Sequence, residues 1–337
     1  MTGTIKRLFR AAYGLAAVVA VLGAPFSATH AEDGIDFERA FDRTLGTEQR
    51  APRTYDDPFA AHIAALANAS RGRIGVAAVD LSTGHRIDVL GDQPFPMAST
   101  SKIAIAATFL DGVEKRRWSL TSEFPLLIPV SSAKHSSAVA PVRQGTYLPA
   151  RELIELMITR SSNSATDALL AAVGGPPAVN DWVRRAGIRD FRIDRDIATL
   201  VRDDGDVDPA AVIDQRDAAT PLAMLDLLTG LHEGRFLNSS SRNVILGAMD
   251  RCRTGKRRIP ALMPEGARVA HKTGSLYNTS SDIGIIRTPD GRAMAVAIYV
   301  TGQGSRLQRE ARIASLARAI YDGYSSPSST FRRTASR

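Results

Sequence analysis

The sequence predicts a mixed α/β (α+β) fold, in which one antiparallel sheet is flanked by the N- and C-terminal helices and carries an inserted all-helical lobe. Val-rich segments of alternating polarity occur near the start of the chain, at 74–81 and 86–90. Segments of extended character return near its end, at 268–272, 281–287 and 293–301. The residues between these two groups are mostly helical in pattern, so strands from both ends of the chain must pair in a single sheet.

The 337-residue chain begins with a segment typical of a cleaved export signal. Residues 1–31 carry three basic residues, then the apolar run 15–22, and end in small residues, which is the order that signal peptidase requires. The apolar run is too short to span a bilayer, and a retained anchor is the alternative interpretation. We therefore predict a periplasmic or secreted protein that has no membrane span after signal cleavage, with a mature chain starting near Glu32.

The composition is that of a globular protein, with 44% hydrophobic and 6% aromatic residues. Loss of three positive charges with the signal lowers the formal net charge from +8 to +5. The remaining basic residues are scattered and lack the stacking aromatics of a nucleic-acid-binding surface, so no nucleic-acid partner is expected. The single cysteine, Cys252, excludes an internal disulfide and is expected to be a small buried hydrophobe. Scattered histidines give no metal signature, so no metal or other cofactor is predicted, and a monomer is expected.

The first elements of the predicted mature chain follow a charged leader, 32–55, that lacks periodicity. Residues 57–70 place apolar side chains at helical spacing, and the Gly-containing turn 82–84 between two strands predicts a hairpin. Further helices are predicted where apolar residues recur at helical spacing, at 103–110, 150–159, 164–173, 176–186 and 221–231.

The acidic segment 196–219 lacks periodicity and is predicted to be a long loop, a feature that usually has a functional reason. Beyond it, the turn 289–291 separates the last two strands, and 308–324 is predicted to be an amphipathic helix against the sheet. The predicted organisation comprises a signal peptide (1–31), a leader (32–55), a catalytic domain (56–325) and a tail (326–337). The catalytic domain is predicted to have a sheet lobe (56–95 and 265–325) and a helical lobe (96–264). Two lobes leave one crevice between them.

The segment 95–102 leads into a helix that is apolar at nearly every position and is therefore predicted to be buried on all sides. Ser99 and Lys102, three residues apart, share one face of its first turn. Burial lowers the pKa of a lysine, so Lys102 would be able to take the proton from Ser99 and make it a nucleophile. The spacing alone is weak evidence, because Ser131 and Lys134 repeat it without an apolar helix behind them.

Three short motifs occur in order along the chain, and the ordered set is far more specific than any one of them: Ser99-x-x-Lys102, Ser161-Ser162-Asn163 and Lys272-Thr273-Gly274. The set resembles that of the penicillin-recognising serine acyltransferases, and the chain is most similar to the class A β-lactamase family. Flanking segments extend the similarity, among them 193–195, 219–221 and 269–275. The resemblance covers residues 57–324, nearly the whole predicted mature chain.

The resemblance implies catalytic roles for four residues. Ser99 would attack the lactam carbonyl with Lys102 as its base or proton shuttle, and Ser161 would pass a proton to the departing lactam nitrogen. The backbone N–H groups of Ser99 and Ser275 would form the oxyanion hole, in which one donor typically contributes about 3 to 4 kcal/mol. A helix cap is the alternative role for Ser161.

The resemblance also implies substrate-binding roles. Asn163 would hold the amide of the substrate's side chain, while Lys272 and Thr273 would contact its carboxylate. Gly274 would let the edge of the strand approach the substrate closely. Taken alone, Asn163 would equally suit the role of a helix cap, and Lys272 would equally suit that of a solvated charge on a strand. The substrate-binding roles therefore depend on the full set of motifs.

The chain departs from the family in the loop after Arg195. Class A enzymes carry, two residues beyond this arginine, a glutamate that activates the deacylating water, and an asparagine four residues further on. Ile197 and Val201 occupy these positions, and no glutamate occurs between Glu155 and Glu233. The acids nearby are aspartates, at 196, 203, 204, 206 and 208. The loop is also longer than in the family.

Other family features are partly retained. The resemblance implies that Arg195 and Asp217 pair across the neck of the loop, and that Ser162 replaces an aspartate within the second motif. Two arginines, Arg258 and Arg292, are the candidates for the arginine that binds the substrate carboxylate in the family.

The sequence therefore predicts a serine hydrolase of β-lactamase type that opens the β-lactam ring through a Ser99 acyl-enzyme, with deacylation that is slow without the glutamate. One alternative is a DD-peptidase-like enzyme acting on peptidoglycan peptides. Another is a penicillin-binding sensor or sink that forms a long-lived adduct. The fate of the acyl-enzyme distinguishes the three functions.

Overall fold

A computed structural model describes residues 55–326. The predicted signal peptide 1–31, nearly all of the leader 32–55 and nearly all of the tail 326–337 lie outside the described residues. Those three assignments, and the division of the domain into two lobes, stay predictions.

The described helices and strands follow one another in this order: α1 (Pro58–Leu66), β1 (Ile74–Asp80), β2 (Arg86–Val89), β3 (Phe95–Pro96), α2 (Lys102–Glu114), β4 (Glu123–Pro129), β5 (Val142–Pro149), α3 (Ala150–Thr159), α4 (Asn163–Val173), α5 (Gly175–Arg185), α6 (Ile197–Arg202), β6 (Ala218–Ala219), α7 (Pro221–Glu233), α8 (Ser239–Asp250), β7 (Arg268–Leu276), β8 (Thr279–Arg287), β9 (Ala293–Thr301) and α9 (Arg306–Ser325). Single 3-10 turns at Ala98–Ser101 and Ile259–Leu262 complete the set.

Five strands form one antiparallel sheet in the order β2-β1-β9-β8-β7. All seven residues of β1 are buried, as expected for a strand that is covered on both faces. Because side chains alternate along a strand, Ile74, Val76 and Ala78 face one core and Ala77 and Val79 face the other. The sheet thus separates two layers of helices.

The first layer consists of α1 and α9, the two ends of the described chain. Ile63 of α1 and Ile313 and Ile320 of α9 pack with the outer face of β1 and β9. The N-cap residue Ser305 starts α9 with a capping box, in which its side chain accepts from the N–H of Gln308 and the Gln308 side chain accepts in return. The predicted flanking of the sheet by the first and last helices is confirmed.

The second layer is built around α2, whose residues from Lys102 to Leu110 are all buried. This helix is apolar on every side because α3, α4, α5 and α8 surround it, as the uninterrupted apolar sequence predicts. None of the helices among residues 55–326 is both long and apolar enough to cross a membrane.

The predicted fold class is confirmed, but the inserted segment is not all helical. It contains the two-stranded hairpin β4–β5. The hairpin is mostly exposed or half-buried and carries Pro125, so its sequence lacks the apolar alternation that marks a strand. The prediction of purely helical structure between the two groups of strands is therefore wrong at this point.

Helices were also missed at two places. The first is α8, which begins with three serines behind the cap Asn238 and buries few apolar residues. The second is α6, a short helix inside the predicted loop 196–219, which Asp196 caps by accepting from the N–H of Thr199. The remainder of that loop is irregular, as predicted.

Candidate active site

Ser99 lies in the turn that leads into α2. The turn is a single 3-10 turn, Ala98–Ser101, in which residues three apart lie above one another, so Ser99 and Lys102 share a face. The other three residues of the turn are buried, whereas Ser99 is partly exposed. Ala98 enters the turn at φ 48°, a left-handed conformation that costs an alanine about 1 kcal/mol. The backbone is therefore strained at the residue that precedes Ser99.

The amine of Lys102 contacts the second motif. Its Nζ donates to the carbonyl oxygen of Ser161 at 2.9 Å and to Asn163 Oδ1 at 2.8 Å, and lies 3.2 Å from Ser161 Oγ. Lys102 is fully buried. Burial, and then the charge of Lys272, hold the pKa of Lys102 well below its ordinary value, although Asp167 opposes this. A buried amine with a depressed pKa has the property that a base at Ser99 needs.

Lys272 approaches the same hydroxyl group from β7. Its Nζ donates to Ser161 Oγ at 3.0 Å and to the carbonyl oxygen of Thr273 at 2.9 Å. Lys272 is also fully buried, and burial lowers its pKa to about 8. The structure thus brings all three motifs together, with the Ser161 hydroxyl between the amines of Lys102 and Lys272.

The middle residue of the second motif is the helix cap. Ser162 caps α4 by accepting from the N–H of Ala165 at 3.3 Å. Ser161, just before it, has φ 58°, a left-handed conformation that is uncommon for serine. Because Ser162 fills the capping role, Ser161 and Asn163 direct their side chains to Lys102 instead.

Gly274 and Ser275 complete the third motif on β7. A side chain at position 274 would lie 2.4 Å from Ser281 Oγ and 2.7 Å from the carbonyl oxygen of Met97. A glycine is therefore required where β7 passes the turn that carries Ser99, whether or not a substrate also approaches here. Ser275 is exposed, and Thr273 is buried.

The two candidate arginines lie in different parts of the fold. Arg258 lies behind β7, where its guanidinium donates to the carbonyl oxygen of Gly274 and to Ser275 Oγ, each at 2.7 Å. Arg292 instead donates to the carbonyl oxygens of Tyr324 and Ser325 at the end of α9. Arg258 is thus the arginine that contacts the third motif, and Arg292 is excluded as a residue of this site.

The neck of the long loop is closed by an ion pair. Arg195 Nε lies 2.6 Å from Asp217 Oδ2, so the expected pairing is confirmed. Ile197 begins α6 and is buried, whereas Val201 is half exposed. No carboxylate stands at either position where the family carries the deacylating groups.

Each of the five aspartates near Ile197 in the loop already has a partner, so none is free to replace the missing base. Asp196 caps α6, Asp203 pairs with Arg202, and Asp206 pairs with Lys134. Asp204 accepts from the N–H of Tyr277, and Asp208 accepts from Asn278.

Asp167 of α4 is the carboxylate that contacts position 197, and the sequence analysis did not identify it. Its two oxygens accept from the N–H groups of Ile197 at 2.7 Å and Ala198 at 2.9 Å. Asp167 is 3% exposed, and burial raises its pKa to about 6 despite these two hydrogen bonds. An acid directly before the apolar segment 168–173 was the signal that could have identified it.

The raised pKa of Asp167 predicts how the stability of the fold changes with pH. A carboxyl group whose pKa is raised from 3.8 to about 6 on folding stabilises the fold at low pH, and this contribution is lost as the pH rises through that range. The loss amounts to about 3 kcal/mol. We expect Asp167→Asn to remove this part of the pH dependence of thermal unfolding between pH 4 and 6. Asp181→Asn, an exposed aspartate of α5, is the control; an unchanged profile in Asp167→Asn would contradict the prediction.

Among residues 55–326, His135, Asp203 and Asp206 have ligand atoms within 4.8 Å of one another and form the one group with the composition of a metal site. Both carboxylates are already paired, with Arg202 and Lys134 respectively. Their charge is thus satisfied without a metal ion, and the expectation that the protein needs none stays a prediction.

Cys252 is half-buried, in polar surroundings. Its Sγ lies 3.4 Å from Thr254 Oγ1, which lies 2.6 Å from Thr273 Oγ1. Burial raises the pKa of the thiol, but the neighbouring His271 and Thr254 outweigh it and hold the pKa below its ordinary value. The prediction of a small buried hydrophobe is therefore wrong, because the segment around Cys252 packs against the polar side of β7.

Comparison with known proteins identifies the family of this chain. The sequence profile of the β-lactamase enzyme family matches residues 58–324. The chain is 31% identical to the β-lactamase CTX-M-8 of Citrobacter amalonaticus and 32% identical to CTX-M-25 of Escherichia coli. Each match covers 78% of this chain and 88% of the relative.

Solved structures give the same result. An ancestral class A β-lactamase of Gram-negative bacteria superposes with a TM-score of 0.67 at 33% identity, covering 79% of this chain and 99% of that one. A β-lactamase from Chitinophaga pinensis superposes with a TM-score of 0.67 at 29% identity, covering 78% and 97%. From its fold, its three motifs and these similarities, the chain belongs to the class A β-lactamase family.

Proposed function

We propose that the protein is an exported serine hydrolase that opens the β-lactam ring through an acyl-enzyme on Ser99 and hydrolyses that adduct slowly. The observation that carries the proposal is the convergence of two buried lysines, Lys102 and Lys272, on the Ser161 hydroxyl. Lys102 lies one turn after Ser99. The predicted export signal supports a periplasmic or secreted location for the protein, where it would encounter a β-lactam substrate.

The hydrogen bonds of Lys102 suit a neutral amine. A neutral amine has two N–H groups and one lone pair, and two of its neighbours, the Ser161 carbonyl oxygen and Asn163 Oδ1, can only accept. The lone pair is then left for a hydroxyl proton. In the proposed first step Lys102 takes the proton of Ser99 as its oxygen attacks the lactam carbonyl.

The contacts of Ser161 support its proposed role in moving a proton onward. Its oxygen accepts an N–H from Lys272, so its own proton is available for the nitrogen released from the lactam ring. The proton taken by Lys102 then replaces the one that Ser161 gives up. Backbone N–H groups of Ser99 and Ser275 are the proposed oxyanion hole.

Substrate binding is assigned to the other motif residues. The cationic Lys272, with Thr273, is the proposed partner of the substrate carboxylate, and Arg258 stands behind them with its bonds to Gly274 and Ser275. Asn163 is the proposed partner of the side-chain amide through the NH₂ group that its bond to Lys102 leaves free.

Slow deacylation is proposed because position 197 offers no base. Ile197 is apolar and buried, and Asp167, the carboxylate that bonds residue 197, uses both oxygens to hold backbone N–H groups. The same observation favours a second candidate function, a DD-peptidase-like enzyme for peptidoglycan peptides, which shares the acylation step and has no dedicated deacylating glutamate.

Mixing the native protein with a chromogenic cephalosporin tests the proposal. We expect a burst of roughly one equivalent of product, a slow steady phase, and an acyl adduct in the intact-protein mass, since general-base help typically contributes about 10²- to 10⁴-fold to such a step. Fast turnover without an adduct would show that deacylation is efficient. Release of D-alanine from a D-Ala-D-Ala peptide, together with a long-lived β-lactam adduct, would favour the peptidase, and absence of both adduct and turnover would contradict acylation of Ser99 by β-lactams.

A further inference from the structure

The single cysteine of the chain belongs to a cluster of titratable side chains at the third motif. Cys252 lies two residues after α8, and its partners His271 and Asp282 lie on the paired strands β7 and β8. We call these three residues the thiol cluster. The thiol is half-buried, whereas His271 and Asp282 are buried. The roles proposed above for acylation and substrate binding use none of the three.

His271 places a positive charge between an acid and the thiol. Its Nδ1 lies 2.9 Å from both carboxylate oxygens of Asp282, and its imidazole also hydrogen-bonds the thiol of Cys252. Burial lowers the pKa of His271, but the charge and the hydrogen bond of Asp282 outweigh it and raise this pKa to about 10. The imidazole is therefore protonated at neutral pH, and a cation beside a cysteine favours its thiolate, which is the reactive form.

The thiol is connected in two ways to the residues proposed to bind the substrate carboxylate. Its Sγ lies 3.4 Å from Thr254 Oγ1, and that hydroxyl lies 2.6 Å from Thr273 Oγ1. The second connection is electrostatic. Burial lowers the pKa of Lys272, and the negative charge of Cys252 is the largest effect that opposes it. A chemical change at the sulfur would therefore reach both Thr273 and Lys272.

We propose that Cys252 is an oxidation site, at which a hydroperoxide converts the thiolate to a sulfenic acid and thereby weakens binding of the substrate carboxylate. The sulfur attacks one peroxide oxygen, so that an S–O bond forms as the O–O bond breaks and two electrons pass from sulfur to the peroxide. The leaving oxygen takes the proton of the His271 imidazolium. With hydrogen peroxide, the products are the sulfenic acid, a neutral imidazole and water.

The product differs from the thiolate in two respects that matter for the third motif. The added oxygen lies where Sγ contacts Thr254, whose hydroxyl holds Thr273. The thiolate charge that favours the cationic form of Lys272 is also lost. The reactivity of the thiol is independent of the proposed function, whereas its consequence for acylation rests on that function.

Trapping with dimedone, which reacts with sulfenic acids and not with oxidised methionines, tests the reactivity. The protein is treated with hydrogen peroxide and dimedone, and the adduct is measured by peptide mass. We expect an adduct on Cys252 that forms about tenfold more slowly in His271→Asn, which keeps a donor for Asp282 and removes the cation beside the thiol. His62→Asn is the matched control, because His62 is exposed on α1, and it should react like the native protein.

Two results would overturn the oxidation site. One is the absence of an adduct in native protein whose methionines have been oxidised, and the other is an equal rate in native protein and His271→Asn. If His271→Asn does not fold, the pH dependence of alkylation of native protein by iodoacetamide decides. A midpoint below the ordinary thiol value of about 8.5 would support the site, and a midpoint at or above this value would overturn it.

Acylation of peroxide-treated protein by a fluorescent penicillin tests the consequence. We expect the second-order rate to fall about tenfold, and dithiothreitol, which reduces a sulfenic acid, to restore it. The control is Cys252→Ser, whose rate should not respond to peroxide.

A fall of the same size in Cys252→Ser would assign the effect to methionine oxidation and overturn the link between the thiol and the substrate site. An unchanged rate in native protein that carries the sulfenic acid would do the same. If no β-lactam acylates the untreated protein, the proposed function fails, while the dimedone result still decides whether Cys252 is an oxidation site.

Discussion

Ser99→Ala is expected to abolish covalent labelling by a fluorescent penicillin while the melting temperature stays close to that of the native protein. The substitution removes one oxygen atom from a partly exposed side chain, and the buried members of the same turn still hold it in place. Without the nucleophile no acyl-enzyme can form, so the loss should exceed about a thousandfold. Gel fluorescence and intact-protein mass measure it.

Ser131→Ala is the matched control, because Ser131 begins the second Ser-x-x-Lys sequence and is exposed. This variant should be labelled like the native protein. Undiminished labelling of Ser99→Ala would contradict the assignment of the nucleophile, and loss of labelling in Ser131→Ala alone would transfer the role to the other serine.

The double variant Ile197→Glu with Asp167→Asn is expected to accelerate the slow phase of turnover by about a hundredfold, within the range typical of general-base catalysis. Ile197→Glu alone would bring a second carboxylate beside Asp167, which already accepts from the N–H of residue 197. Two adjacent carboxylates raise each other's pKa and oppose ionisation of the new base. Asp167→Asn removes that charge and keeps one oxygen acceptor.

Steady-state turnover of a chromogenic cephalosporin, with the adduct followed by mass, checks this result. Asp167→Asn alone is the control. It should leave the slow phase unchanged, because in the proposed mechanism the oxygens of Asp167 hold backbone N–H groups and do not activate water. A slow phase that falls in Asp167→Asn would instead show that Asp167 assists deacylation. No acceleration in the double variant, with intact acylation, would mean that position 197 does not face the acyl group.

Much of the fold could be predicted because its signals are local. Helix α3 begins and ends where its apolar periodicity does, and β9 is an apolar segment bounded by a Pro-Asp-Gly turn. The hairpin β4–β5 gives no such signal, since its side chains are half exposed and pair mainly with each other. Helix α8 was missed for a similar reason, because it starts with three serines.

The residues of the candidate site were identifiable from sequence alone because each motif is contiguous and the three occur in a specific order. Sequence also identified the unusual feature of this chain, an isoleucine where the family has its deacylating glutamate. Both conclusions depend on residue identity at known spacing, which the chain carries without reference to its fold.

Only the tertiary structure decided how these residues act on one another. Lys102 and Lys272 are 170 positions apart, and their convergence on Ser161 follows from the packing of the 3-10 turn before α2 against β7. Tertiary packing also decided that Arg258, and not Arg292, lies at the site. It likewise brought Asp167 into contact with residue 197. Burial and charge set the pKa values and the positions of these groups, and both depend on neighbours that are distant in sequence and adjacent only in the folded chain.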